Sequence, residues 1–140
     1  MKKSTFLFLL LCFSCEEKTN SDQNSEFLFV ASEGNYGDSN GSITMFNGNE
    51  KIHTLENVGD VVQSILVHDD KLFVAVNNSH LIKRFTITET GLQLPGIQIS
   101  TENSGPREMV VLDGNLYFTN WFSKDIKVLN LTTFSIEESI

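Results

Sequence analysis

Short apolar runs broken by polar turn residues recur along most of this chain. KLFVAV at 71–76 is a nearly continuous apolar run, and LIKRFTIT at 81–88 alternates apolar and polar positions. Both are rich in Val, Ile, Phe and Thr and are bounded by Asp, Asn and Ser, the composition of strands closed by tight turns. The body shows no sustained 3.6-residue apolar spacing, so helices are not expected there. Around these runs the pattern predicts four strands, at 65–68, 71–76, 81–88 and 93–100, with turns at 69–70 and 77–80.

The same pattern returns along the chain. Residues 67–87 (VHDDKLFVAVNNSHLIKRFTI) lie over 111–131 (VLDGNLYFTNWFSKDIKVLNL) without a gap, at a shift of 44 positions. Leu72 falls on Leu116, Phe73 on Tyr117, Ile82 on Ile126 and Phe85 on Leu129. The reverse shift puts FLFVA at 27–31 over 71–75. About five extra residues follow before Ile43 and Phe46 rejoin Ile82 and Phe85. Four strands in such a unit match a β-propeller blade, whose period is roughly 40–45 residues. A β-solenoid is the alternative, although its coils are generally shorter. The expected architecture is therefore all-β, a β-propeller with three four-stranded blades at about 26–62, 63–106 and 107–140. Three blades do not close a ring, so the sequence reads as part of a larger one.

The first residues follow a different rule. Lys2 and Lys3 precede an apolar run of eight (FLFLLLCF, 6–13), too short to cross a bilayer of about 30 Å as a helix. This charged start and short apolar core, ending at the small residue Ser14, form a secretory signal, expected over 1–14. Cys15 follows at once, and no cysteine occurs after it, so no disulfide within the body competes for its thiol. The polar stretch 16–25 (EEKTNSDQNS) reads as a tether. Loss of the leader takes the formal charge from −8 to −10, and no basic stripe offers counterion release to a nucleic acid.

Three segments carry a family resemblance: SEGNYGDSNGSITMF (32–46), GDVVQSILVHDDKLFVAVNNSHLIKRF (59–85) and GPREMVVLDGNLYFTNWFSKDIKVLNL (105–131). They resemble the YncE-like, YVTN-type propeller lipoproteins of Bacteroidetes. Ser14-Cys15 is similar to the lipobox of such proteins, with Cys12 where the family usually has Leu, Val or Ile. Glu16 and Glu17 resemble their surface-export tag. The resemblance implies a seven-bladed ring, acylation of Cys15, and a place on the outer membrane with the body exposed at the cell surface. Members of the group include propellers that capture corrinoids above an outer-membrane transporter, which makes a corrinoid and a transporter the implied ligand and partner.

Propeller topology sorts the loops independently of that resemblance. Segments 33–42, 57–63, 77–80, 102–107 and 121–125 should share one rim, and the turns at 68–71 and 113–115 the other. The first rim carries Glu33, Asn35, Tyr36, Gln63, Asn77, Arg107 and Trp121. Aromatic faces, amides and one guanidinium suit a neutral or mildly anionic polar ligand. Each residue also has a structural alternative. Asn77 can close a turn, Arg107 can pair with Glu102 or Glu108, and Trp121 can pack between the second and third blades. Gly34, Gly37 and Gly41 are expected to supply positive φ in a long loop.

Catalysis and metal binding have little to rest on. His53, His68 and His80 are isolated, and none has the spacing of a zinc ligand pair. No serine sits in a nucleophile elbow. A lactonase-like propeller hydrolase needs carboxylates around a central metal, and the expected inner strands at 65–67 and 109–112 offer none. The sequence thus points to a protein that is not an enzyme and uses no cofactor, anchored by lipid and binding a small polar ligand. The alternative is an interaction module for envelope protein or glycan.

Overall fold

The computed structural model describes residues 26–137, 139 and 140. The expected signal, Cys15 and the tether lie outside the described residues. Ten strands, and no helix among the described residues, form three antiparallel sheets. The first holds β1 (Phe27–Ser32), β2 (Ser42–Asn47) and β3 (Glu50–Leu55). The middle sheet holds β4 (Val62–His68), β5 (Lys71–Val76), β6 (Leu81–Thr88) and β7 (Gly91–Ser100). The third holds β8 (Pro106–Leu112), β9 (Asn115–Asn120) and β10 (Lys127–Asn130). Each strand pairs with its neighbour in sequence, so every sheet is a plain meander.

Only the middle sheet has the expected four strands. The first lacks a counterpart of β4, whose equivalent stretch at 18–24 lies outside the described residues. In the third, residues after β10 take the fourth place without forming a regular strand. Leu129 bridges Ile136, Glu137 N donates to the Val128 carbonyl, and Ile126 and Ile140 exchange backbone hydrogen bonds. The turn at Asn130, where Nδ2 binds the Glu137 carboxylate and Oδ1 accepts from Thr132 and Thr133, bends the chain away from a straight hairpin.

The sheets stack in sequence order, and two apolar layers separate them. Ile43 and Met45 of the first sheet meet Leu72, Val74 and Phe85 of the middle one. Phe73 and Ile82, on the middle sheet's other side, meet Leu116, Phe118 and Leu129 of the third. Alternation within a strand delivers this arrangement, because consecutive residues of β5 point to opposite faces and both faces are covered. Five of the six residues of β5 are accordingly buried.

The tight turns fall as the sequence indicates. Asp69 and Asp113 adopt positive φ (51° and 49°), a conformation aspartate tolerates. Gly34 and Gly37 do so in the long loop, at 81° and 88°, but Gly41 does not. Close approach is what requires glycine at Gly41. A Cβ there would lie 2.5 Å from Val62 Cγ2 and 2.9 Å from the carbonyl oxygens of Glu33 and Gly59.

Candidate functional site: a loop rim knitted by side chains

Because the strands are antiparallel meanders, one end of the stack collects the β1–β2, β5–β6 and β9–β10 loops with the turns between sheets. Asp60 ties three of these segments together. It is buried in the turn between the first and middle sheets. Its Oδ1 accepts from Gly37 N at 2.9 Å and its Oδ2 from the Asn78 amide. Its own backbone N donates to Ser79 Oγ at 2.9 Å. Two side-chain acceptors and one main-chain donor are thereby satisfied, as a buried carboxylate requires. Val61 beside it takes φ 61°, a conformation that is an outlier for a β-branched residue and is held here by its buried surroundings.

The next turn is built by different chemistry. Asn77 is only 4% exposed, and its Nδ2 donates to the Gly105 and Pro106 carbonyls, each at 3.1 Å. Of the seven rim residues expected to meet a ligand, this one therefore faces the protein. Forty-four positions later stands Trp121, 60% exposed. Its backbone repeats that of Asn77: Asn77 N donates to the Val61 carbonyl, and Trp121 N to the Gly105 carbonyl at 2.8 Å. The turn that covers Asn77 belongs to the third sheet. Among the described residues Trp121 has no such cover, and it does not pack between the middle and third sheets.

Trp121 is the centre of an exposed aromatic group. The Phe122 ring stacks beside it, with centroids 6.3 Å apart and planes inclined by 19°. The Arg107 guanidinium lies 5.3 Å from the indole centroid, and the His80 ring meets Phe122 edge-on at 5.7 Å. Gly105 (φ 66°) sits beneath, where a Cβ would come within 2.9 Å of the Phe122 ring. Arg107 forms no ion pair among the described residues. Glu102 instead binds Lys127 at 2.8 Å, so the Arg107 charge is held by the indole face.

The remaining expected residues lie in the β1–β2 loop and at the start of β4. Glu33, Asn35 and Tyr36 are all exposed. The loop is shaped from within, since Asn35 N donates to Asn40 Oδ1 at 2.7 Å and Asn35 Nδ2 to Asp38 at 3.2 Å. Gln63 is half-buried near the first residues of β4, at the position that Arg107 takes in β8. Asp60, Phe122 and His80 are the rim residues that sequence reasoning missed. The GDV triplet was visible as a turn, but nothing local marks its carboxylate as a clamp.

The other two histidines lie outside this aromatic group. His53 Nδ1 accepts from Leu92 N at 2.7 Å across the first layer, and His68 lies 3.6 Å from Asp69 in an exposed turn. Among the described residues, no group of three His, Cys, Asp or Glu side chains is placed to hold a metal ion. No family model and no curated protein matches the chain.

Proposed function

We propose that this chain is a non-catalytic, lipid-anchored surface protein whose three sheets are successive propeller blades and whose loop rim binds a polar ligand. One observation carries the reading: the rim exposes Tyr36, Trp121 and Phe122 together with an Arg107 that has no carboxylate partner among the described residues. Exposed aromatic faces beside a single cation provide contact area and orientation for a ring-bearing ligand. The 44-residue repeat and the meander of each sheet support the blade assignment. The signal pattern ending in Ser14-Cys15 supports the anchor, and the family resemblance supports a corrinoid as ligand and an outer-membrane transporter as the protein that receives it.

Trp121 is the chain's single tryptophan, so its emission reports on this rim alone. Titration of the whole chain with cobinamide or cobalamin should quench that emission saturably, with weaker binding after Arg107→Ala. A folded chain showing no saturable change with either corrinoid, yet binding an envelope polysaccharide, would move the function to glycan interaction. For the anchor, a labelled fatty acid should enter the wild-type protein in its exporting host and not the Cys15→Ala variant. Equal labelling of both removes the lipoprotein assignment.

A further inference from the structure

Arg84 breaks the chemistry of the repeat. On β6 it pairs with Phe73 and shares the face that Phe73 turns to the third sheet. The same register places Met45 opposite Phe29 in the first sheet and Val128 opposite Tyr117 in the third. Met45 and Val128 are both buried, so the middle sheet sets a guanidinium where the other two set a hydrocarbon. A cation in such a layer is costly unless an anion or hydrogen bonds accompany it. Among the described residues Arg84 forms no ion pair, and its Nε is buried without a hydrogen-bond partner.

What Arg84 does have is an aromatic ring and a cleft. Its guanidinium carbon lies 4.4 Å from the centroid of the Phe134 ring. The Asn130 turn puts that ring in place: Phe134 N donates to the Asn130 carbonyl at 2.9 Å, and Phe134 takes φ 54°, which is uncommon for a bulky residue. The ring attracts the charge but supplies no oxygen for the buried N–H. Beside Arg84 a cleft of about 240 Å³ opens between the middle and third sheets, at the end opposite the rim. Phe73, Leu131 and Phe134 give it apolar walls. Its two carboxylates are engaged elsewhere, since Asp70 binds Lys71 at 2.6 Å and the Asp69 side chain is 81% exposed beside His68.

We propose that this cleft binds a small monocarboxylate with an apolar body. The planar donors of Arg84 receive its two oxygens, a match of geometry that a guanidinium makes with carboxylates. Phe73, Leu131 and Phe134 cover its body. A single negative charge balances the one guanidinium, whereas a phosphate dianion brings surplus charge close to Asp69 and Asp70. This site is separate from the loop rim and does not depend on what the rim binds.

Benzoate is a suitable probe, with benzamide and phenyl phosphate as its neutral and doubly charged counterparts. In the isotope-labelled full-length chain, held in mild detergent, benzoate should shift the Arg84 Nε–H and Phe134 ring signals saturably. Benzamide and phenyl phosphate should each bind more weakly by about tenfold or more, as loss or mismatch of a charged hydrogen bond implies. Arg84→Met installs the side chain that the first sheet carries there, and it should weaken benzoate binding to the same degree. Arg107→Ala, at the other end of the stack, should leave it unchanged. Absence of a saturable shift in the wild-type chain overturns the proposal. So does benzamide or phenyl phosphate binding as tightly as benzoate, or undiminished benzoate binding by folded Arg84→Met. The comparison of the three probes needs no variant, so it decides even if Arg84→Met does not fold.

Discussion

The middle and third sheets are built on one repeat, 44 residues apart, yet they live in different environments. Phe73 of the middle sheet is buried between sheets, whereas its counterpart Tyr117 is only half-buried. Leu66 is half-buried where Val110 is largely exposed. Asn77 is covered by the next turn, and Trp121 is open. Strand alternation decides which side chains share a face, while the neighbouring sheet decides whether that face is dry. Equivalent positions therefore form matched pairs in which chemistry is similar and burial is not.

The sharpest test of that contrast is in the apolar layers. Phe73→Ala should cost about 3–5 kcal/mol by opening a cavity between sheets, and Tyr117→Ala well under half as much, both read as urea midpoints. Equal losses would mean that the outer face of the third sheet is as well packed as the inner one. The next pair compares turns. Asp60→Ala removes acceptors from Gly37 and Asn78 and should cost about 2–3 kcal/mol. At the equivalent position Ser104 donates from Oγ to Asn120 Oδ1 at 2.6 Å, so Ser104→Ala should cost about 1 kcal/mol.

Smaller still is the rim pair. Asn77→Ala frees two carbonyls and should destabilise by about 1–2 kcal/mol. Trp121→Ala should stay within about 0.5 kcal/mol, as exposed sites do. The smallest effect separates two lysines. Lys127 is paired with Glu102, but its counterpart Lys83 has no ion pair among the described residues, and burial holds its pKa below the usual 10.5. A lowered lysine pKa is a cost to the folded state at neutral pH, relieved as pH rises from the folded value towards 10.5. Lys83→Met should therefore stabilise slightly, by less than about 0.5 kcal/mol after allowing for solvent screening, and only below that range. A gain that persists undiminished above pH 10.5 would assign the effect to packing instead.

Most of the strand pattern was legible because it rests on local chemistry. Apolar runs and the turn residues that bound them located β5 and β6 to the residue, and β4 and β7 to within three residues. The period also predicted which loops gather at one end. Legibility failed where the outcome depends on a distant partner. Asn77 had the composition of a ligand-binding amide, and only the Gly105–Pro106 turn, 28 and 29 residues away, reveals what its amide binds. Asp60 looked like one more acidic turn residue. Gly41 looked like Gly34 and Gly37, since sequence does not separate a glycine needed for φ from one needed for space. Phe122 and His80 were invisible as a pair because they stand 42 positions apart.

The Asp60 clamp also bears on how the chain folds. It joins Gly37, 23 residues before it, to Asn78, 18 residues after it, across the boundary of two sheets. Neither sheet can complete the clamp alone, so this contact forms only when both are in place. Among the described residues the main sheet-to-sheet contacts run between neighbours, which makes the stack a short linear array whose cooperativity is set by its couplings. The amide hydrogens of Gly37 and Asn78 should then exchange with solvent in one shared opening event. Those of the third sheet, coupled through Asn77 and not through a carboxylate, should exchange sooner.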